Sequence, residues 1–269
     1  MELSSVYFAF SLTLLAGLST GIGGTVQYFS KKMDPRFLAG ALGFSAGVMI
    51  YVSMIEIFLK AREALTIEYG ASLGYKYTTA AFFVGLLVIA VIDKLISKPE
   101  NPHEPADVLG VESQSIVMKE DLKRMGLFSA LAIAIHNFPE GMATFVAALQ
   151  EPALGISIGV AIAIHNIPEG IAVAVPVYYA TGDKRKAFIY SFLSGLSEPV
   201  GALVGYSLIY RFMGEAVLGF LFASVAGIMV FISLDELLPT AEKYGEHHIA
   251  IYGLVAGMIV MALSLLMFV

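Results

Sequence analysis

Runs of about twenty mostly apolar residues recur along the chain, and they limit its fold more than any other feature. A helix rises about 1.5 Å per residue and the hydrocarbon layer of a bilayer is about 30 Å thick, so such a run can cross a membrane. Of the 269 residues 58% are hydrophobic, and the mean hydropathy of +0.79 is too high for a soluble globular domain. The runs cover residues 7–29, 37–59, 77–96, 125–149, 153–180, 187–210, 216–238 and 249–269. We therefore predict an all-α membrane protein with eight transmembrane helices that form a single transmembrane domain spanning 1–269.

The distribution of basic residues predicts the orientation in the membrane. Connections alternate between the two sides, and cytoplasmic connections carry an excess of Lys and Arg. With the N-terminus outside, twelve of the sixteen basic residues fall on the inner side, together with the long polar connection at 97–124. We expect a multi-pass membrane protein with both termini outside and a polar cytoplasmic loop at about 97–124.

One pattern occurs twice, as IAIHNFPEGMA from Ile133 and as IAIHNIPEGIA from Ile162. In each copy the histidine and the glutamate are separated by one helical turn, so they lie on one face of a helix, and the adjacent asparagine widens that polar face. Imidazole, amide and carboxylate groups all coordinate cations. The candidate metal ligands of the two copies are His136, Asn137, Glu140, His165, Asn166 and Glu169.

The depth of these groups strengthens the prediction of a metal site. Glu140, Glu169 and Glu198, the last in SGLSEPVG of the sixth span, lie near the middle of predicted spans, where an ionised carboxylate costs at least a few kcal/mol. No Lys or Arg lies deep inside a predicted span, so a metal ion or bound protons would compensate the charge. Imidazole with carboxylate suits zinc, iron or manganese, and the ligands exceed what one four-coordinate zinc ion needs. Two adjacent ions bridged by Glu140 and Glu169 would fit.

A second repeat relates the second and seventh spans. AGVMIYVSMIEI from Ala46 resembles AGIMVFISLDEL from Ala226, position by position and without a gap. An odd number of crossings separates the two spans, so the repeat is inverted, as in many secondary transporters. It places Glu56 near the outer end of the second helix and Glu236, with Asp235, near the inner end of the seventh, where acidic groups would attract cations. Asp93 is expected at the membrane interface.

The eight-helix pattern, HNFPEG, HNIPEG, the glutamate in GLSEPVG and SLDELLP together resemble the ZIP family of divalent-metal transporters, most closely its bacterial zinc-uptake branch. The resemblance covers essentially the whole chain. It implies uptake of zinc, and of iron, manganese, cobalt or cadmium, into the cytoplasm through a binuclear site between helices 4, 5 and 6. The implied sites are one of His136, Glu140, His165 and Glu169, with Glu56 as a contributor, and one of Asn137, Asn166 and Glu198, with Glu140 and Glu169 bridging.

Three classes of function are compatible with a metal site inside the membrane. The leading interpretation is a transporter that works by alternating access or by an elevator-like movement of helices around the midplane site. A divalent-cation channel is disfavoured by the inverted repeat and by deep ligands that bind tightly. A membrane metal-dependent enzyme is disfavoured because neither HExxH nor paired ExxH motifs occur. We therefore expect no enzymatic activity and no catalytic residue.

The expected cargo and partners follow from this interpretation. Zn²⁺ and Fe²⁺ are expected as transported substrates, and no cofactor is expected. Divalent metal ions and the lipid bilayer are the expected partners, nucleic acid is not, and a homodimer is an assembly to consider.

Overall fold

The described part of the chain is helical. A computed structural model describes residues 3–29, 35–96, 111–150, 152–209, 214–244 and 246–266, and these residues contain no β-strand. Helices suit an apolar chain because they satisfy every backbone N–H and C=O group within one segment. The α-helices are α1 (Leu3–Gly23), α2 (Val26–Phe29), α3 (Pro35–Val52), α4 (Phe58–Ile96), α5 (Val111–Gln150), α6 (Pro152–Thr181), α7 (Lys184–Gly195), α8 (Ser197–Val204), α9 (Glu215–Ile232), α10 (Leu238–Tyr244) and α11 (His247–Leu266). The all-α class of the prediction is confirmed.

Several helices can cross a membrane. Within the described ranges, the five stretches that are long and apolar enough by length and composition are Ser4–Gly23, Pro35–Leu95, Lys184–Ser207, Ala216–Lys243 and His247–Leu266. The second stretch contains two of the predicted spans, and α5 and α6 contain the fourth and fifth predicted spans. The chain is therefore a multi-pass membrane protein, while the total of eight spans stays a prediction.

The turn between the second and third predicted spans lies at Gly70, within α4. Gly70 has φ 79° and ψ 163°, a conformation that only a residue without Cβ adopts at little cost. The chain folds back there, because Gly74 packs directly against the backbone of Thr66, whereas the same two positions in a continuous helix would be about 12 Å apart. The predicted connection between residues 59 and 77 is therefore helical on both sides of Gly70. Contact between the two arms takes the place of a loop.

The long polar connection is also partly helical. α5 begins at Val111 and continues to Gln150, so residues 111–124 extend the fourth predicted span, and residues 97–110 lie outside the described residues. At about 1.5 Å per residue a helix of 40 residues is about 60 Å long, about twice the thickness of the hydrocarbon layer. The polar first part of α5 therefore projects beyond the bilayer.

The helices pack in two groups. In the first group α4 packs along α9, and α11 packs along α3. In the second group α6 packs against α5 and α1, α8 packs against α5, and α7 packs against α6. The groups meet where α3 contacts α6 and where α5 contacts α9. The two helices that carry the repeated motif thus lie in the second group, with the first group alongside.

Four glycine contacts within the first group show a regular relationship. In each contact, a Cβ placed on the glycine would lie 2.0 to 2.1 Å from a backbone carbonyl oxygen of the neighbouring helix. The contacts join Gly47 to Leu254, Gly227 to Phe82, Gly85 to Ser224 and Gly257 to Phe44. In the register of the sequence repeat, Gly47 and Phe44 of α3 correspond to Gly227 and Ser224 of α9. At one constant spacing, Phe82 and Gly85 of α4 correspond to Leu254 and Gly257 of α11. The pair of α3 with α11 therefore packs in the same way as the pair of α9 with α4.

The segments matched in the sequence repeat also have the same local structure. Ser53–Ile57 and Ser233–Leu237 are both π-helical turns that continue the preceding α-helix. In both, the serine hydroxyl donates to the carbonyl oxygen of the preceding turn, at 2.6 and 2.8 Å. Short π-helical turns inside helices recur at functional sites. Glu56 and Glu236 occupy corresponding positions on these two turns.

Replacing Gly47 by alanine is expected to destabilise the protein. The new Cβ would meet the Leu254 carbonyl oxygen at 2.0 Å, and overpacking of this kind costs about 1–3 kcal/mol. Gly40 on the same helix is the matched control, because its added Cβ would lie 3.6 Å from Ile249, an ordinary contact. Thermal unfolding in detergent should show a lower midpoint for Gly47→Ala only. Equal midpoints for the two variants would contradict the close packing of α3 on α11.

Candidate metal centre

The repeated motif lies in the interior of the protein. The first copy is on α5 and the second on α6, and both helices continue through the proline of the motif. The candidate ligands with buried side chains are His136, Asn137, Glu140, Asn166, Glu169 and Glu198. His165 lies on α6, and its side chain is outside the described residues. The structure therefore buries six of the predicted ligands in the second group of helices.

A direct contact joins the two copies of the motif. Nε2 of His136 lies 2.9 Å from Oε1 of Glu169. With its amide nitrogen turned towards the acceptors, Asn137 lies 2.8 Å from the same Nε2 and donates to Oε2 of Glu169 at 3.2 Å. Two ligands of one tetrahedral zinc ion are about 3.3 Å apart, since each lies about 2.0 Å from the metal. His136 and Glu169 are thus close to the spacing that one ion requires.

A second contact joins α6 to α8. The Asn166 amide nitrogen donates to the Ala16 carbonyl oxygen of α1 at 2.9 Å, and to Oε1 of Glu198. The amide oxygen of Asn166 (Oδ1) and the second carboxylate oxygen of Glu198 (Oε2) are buried and have no hydrogen-bond partner among the described atoms. Buried polar atoms are nearly always paired, because leaving them unpaired costs free energy. Two unpaired acceptors on adjoining side chains are suited to a bound cation.

The sixth predicted span is interrupted just before Glu198, and the interruption puts this residue near the start of a helix. α7 ends at Gly195 and α8 begins at Ser197, with Leu196 between them at φ −66° and ψ −11°. Glu198 consequently lies in the first turn of α8, where the helix dipole favours a negative charge. Pro199 suits the same turn because it has no N–H to leave unsatisfied. The break thus brings a carboxylate to the end of a helix inside the protein.

The glycine that ends each motif brings a neighbouring helix into backbone contact. A Cβ on Gly141 would lie 2.2 Å from the Glu198 carbonyl oxygen, and a Cβ on Gly170 would lie 1.9 Å from the carbonyl oxygen of Thr20. Each of these glycines directly follows the motif glutamate, so α5 is fixed against α8, and α6 against α1, at the level of the candidate ligands. The sequence analysis gave these glycines no role, although their place in both copies was visible.

Three carboxylates of the site, those of Glu140, Glu169 and Glu198, are buried, and no described lysine or arginine is buried with them. Ionised carboxylates that are removed from water need a compensating charge. A divalent cation coordinated by imidazole, amide and carboxylate groups would supply that charge, and protons bound to the carboxylates would remove the need for it. The chain has no cysteine, so no thiolate strengthens the binding.

Glu56 is less buried than the other described candidate ligands. It is on the first π-helical turn, its side chain is 29% exposed, and it forms an ion pair with Lys60 one turn further along. The sequence analysis searched for lysines inside the spans and missed this pair, although the spacing of one helical turn was the available signal. A role for Glu56 as a metal ligand stays a prediction.

A second acidic group lies near the other π-helical turn. Asp93 of α4 comes together with Asp235 and Glu236, so that one carboxylate oxygen of each lies within 4.8 Å of the others. The sequence analysis placed Asp93 at the interface and did not connect it with the other two, because no local pattern encodes a contact between such distant positions. The packing of α4 along α9 produces this contact.

Comparison with known proteins finds full-length relatives. A family model described as ZIP Zinc transporter matches residues 97–265. The chain is 63% identical over 264 residues to the zinc transporter ZupT of Chlorobaculum parvum, with 98% of each chain covered. It is 57% identical to the zinc transporter ZupT of Clostridium perfringens, with 100% of this chain and 98% of the relative covered. It is 60% identical to the protein of the same name from Nitratidesulfovibrio vulgaris, with 98% of each covered.

Replacing Asn166 by alanine is expected to destabilise the metal-free protein. The change removes a hydrogen bond to the buried Glu198 carboxylate, and the loss of such a partner costs about 1–3 kcal/mol. In a Glu198→Gln background the same change should cost less, because no buried charge then loses its donor. The measurement is denaturant unfolding of all four proteins in detergent with metal chelated. An equal cost in both backgrounds would show that the two side chains do not stabilise each other.

Proposed function

We propose, because this chain belongs to the ZIP zinc transporter family, that it carries zinc ions across the membrane and into the cytoplasm. The family and the relatives are transporters, so the chain is a transporter and not an enzyme. Zinc is then the cargo of the protein and not a cofactor. The observation that carries the proposal is the buried contact of His136 with Glu169, which joins the two copies of the motif.

The cargo would bind at two adjacent positions between α5, α6 and the helix pair α7 and α8. The first position would use the imidazoles and carboxylates, and the second the amide oxygens and Glu198, with two carboxylates shared. The short distance from His136 to Glu169 supports the first position, and the unpaired oxygens of Asn166 and Glu198 support the second. The proposed ligands are His136, Glu140, His165 and Glu169 for the first position, and Asn137, Asn166 and Glu198 with Glu140 and Glu169 for the second.

Transport would proceed by alternating access, with an elevator-like movement of one group of helices past the other. An inverted repeat supports this mechanism, because two oppositely oriented halves can open a central site to either side in turn. The matched glycine contacts and the matched π-helical turns support such a repeat in the group formed by α3, α4, α9 and α11. The site-bearing helices form the other group and would move as one body, since glycines lock their backbones together.

Further properties are proposed on the same basis. Fe²⁺, manganese, cobalt and cadmium would be additional cargo, because imidazole and carboxylate ligands bind all of these first-row or softer divalent ions. The protein would lie in the bacterial inner membrane with both termini outside. A homodimer is the proposed assembly, and Glu56 would contribute to the path of the ion.

Zinc uptake into proteoliposomes is expected for the wild-type protein and not for His136→Ala. The change removes the imidazole that contacts Glu169, and a site with one ligand fewer holds zinc poorly. Glu198→Gln should transport with altered kinetics, because it retains the first position. Uptake of radioactive zinc at a series of concentrations measures both variants, and saturation distinguishes a transporter from a channel.

His247→Ala is the control for this experiment, because His247 is exposed and contacts Glu242 at the surface. It should transport like the wild type. Zinc counted per purified chain should be two for the wild type and one for Glu198→Ala. If wild-type protein carries no zinc, the proposed function is wrong, and if His136→Ala transports normally, the motif is structural.

The orientation can be measured with single cysteines, since the natural chain has none. Lys76→Cys on the predicted outer side and Arg185→Cys on the predicted inner side are both exposed positions. In intact cells stripped of the outer membrane, a membrane-impermeant maleimide should label Lys76→Cys and should label Arg185→Cys only after lysis. The reverse pattern would show that both termini are inside.

A further inference from the structure

The carboxylate at the predicted outer entrance forms an ion pair with a lysine of the same helical segment. Oε1 of Glu56 contacts Nζ of Lys60. The two side chains are 29% and 32% exposed, so the pair is partly shielded from water and is weakened less by salt than a pair on an open surface. The π-helical turn that carries Glu56 packs against α3, α4 and α9, which fixes the carboxylate beside the junction of the first group of helices.

In the second copy of the sequence repeat, the position that corresponds to Lys60 is not a lysine. In the register of the sequence repeat Glu56 corresponds to Glu236, and Lys60 corresponds to Thr240. The backbone is the same at both places, a π-helical turn with the same serine hydrogen bond. The two ends therefore differ in their side chains and not in their backbone. At one end a carboxylate is neutralised by an ammonium group, and at the other Glu236 adjoins Asp235.

We propose that Lys60 competes with the incoming divalent cation for Glu56, and so sets the affinity and selectivity of the outer entrance. The proposal rests on the proposed transport function and on the predicted outer position of Glu56. The ammonium group repels a divalent ion that approaches this carboxylate, and the repulsion ends only when the ammonium group is displaced. Every ion therefore loses part or all of the free energy of the ion pair when it enters. Lys60 thus acts on the cargo through Glu56 and is a positioning residue.

The competition discriminates between cations. Mg²⁺ and Ca²⁺ depend on several oxygen ligands, and Mg²⁺ gives up its water reluctantly, so a single carboxylate with a competitor binds them poorly. Zinc, after displacing Lys60, continues to the imidazole ligands of the buried site, which the two hard ions do not favour. The entrance therefore lowers occupation by abundant hard cations while it admits zinc.

Lys60→Gln is expected to lower the KM of zinc uptake in proteoliposomes by about two- to fivefold, the range of affinity that a partly exposed ion pair controls. The maximal rate should stay within about twofold, because the buried ligands are unchanged. Mg²⁺ or Ca²⁺ at millimolar concentration should inhibit Lys60→Gln more than the wild type. Lys76→Gln, which removes a lysine from the same helix, is the control and should match the wild type.

Two further variants separate competition from a structural role. Lys60→Arg keeps the charge and adds a second hydrogen bond to the carboxylate, so its KM should be at or above the wild-type value. In a Glu56→Gln background, Lys60→Gln should leave the KM unchanged, because the carboxylate for which lysine and metal compete is then absent.

The outcomes distinguish this proposal from the proposed function. If the wild type carries no zinc, transport itself is wrong. If the wild type carries zinc and the KM of Lys60→Gln equals that of the wild type, or if Lys60→Arg lowers the KM as Lys60→Gln does, competition by Lys60 is wrong. Should Lys60→Gln fail to accumulate, Lys60→Thr, which introduces the residue found at the matched position 240, takes its place: a lowered KM supports competition and an unchanged KM overturns it.

Discussion

Burial of three carboxylates among apolar helices is the constraint on which the rest of the structure depends. Glu140, Glu169 and Glu198 are removed from water, and no described lysine or arginine is buried with them. Such a cluster persists only when hydrogen-bond donors, together with a cation or bound protons, offset its charge. The amides of Asn137 and Asn166 supply donors within the protein, and the remaining deficit is one that an ion from outside can fill. The burial that limits the stability of this cluster is also what would favour a cation bound to it.

The close packing of the site follows from the same constraint. Ligands held on separate helices keep a fixed spacing only if the helices themselves cannot shift against each other. Gly141 and Gly170 meet this requirement by bringing backbones into direct contact beside the ligands. In lipid, where apolar association gives little driving force, such backbone contact is the main means of holding helices together. One short motif thus contains both the candidate ligands and the glycine that holds them against a neighbouring helix.

The features encoded locally were predictable from the sequence, and those that depend on tertiary contact were not. The apolar runs predicted the helices, and five of the six histidine, asparagine and glutamate positions of the two motifs are buried as expected, because both signals lie within one or two helical turns. Their role as metal ligands stays a prediction. The turn at Gly70 was missed because glycine alone does not distinguish a tight turn from a helix position. The ion pair of Glu56 with Lys60 was within reach of local spacing, whereas the approach of Asp93 to Glu236 depends on how α4 lies along α9.

The length of α5 has a mechanical consequence. Glu140 and residues 111–124 belong to one helix, about a third of which projects from the bilayer. A helix is stiff along its axis, so a displacement of the buried ligand by several ångströms is reproduced at the projecting end. The projecting end would therefore report any movement of the segment inside the membrane. A spectroscopic label attached there, with a second label on α9 as the reference, would measure the proposed displacement from the aqueous side without any disturbance of the candidate ligands.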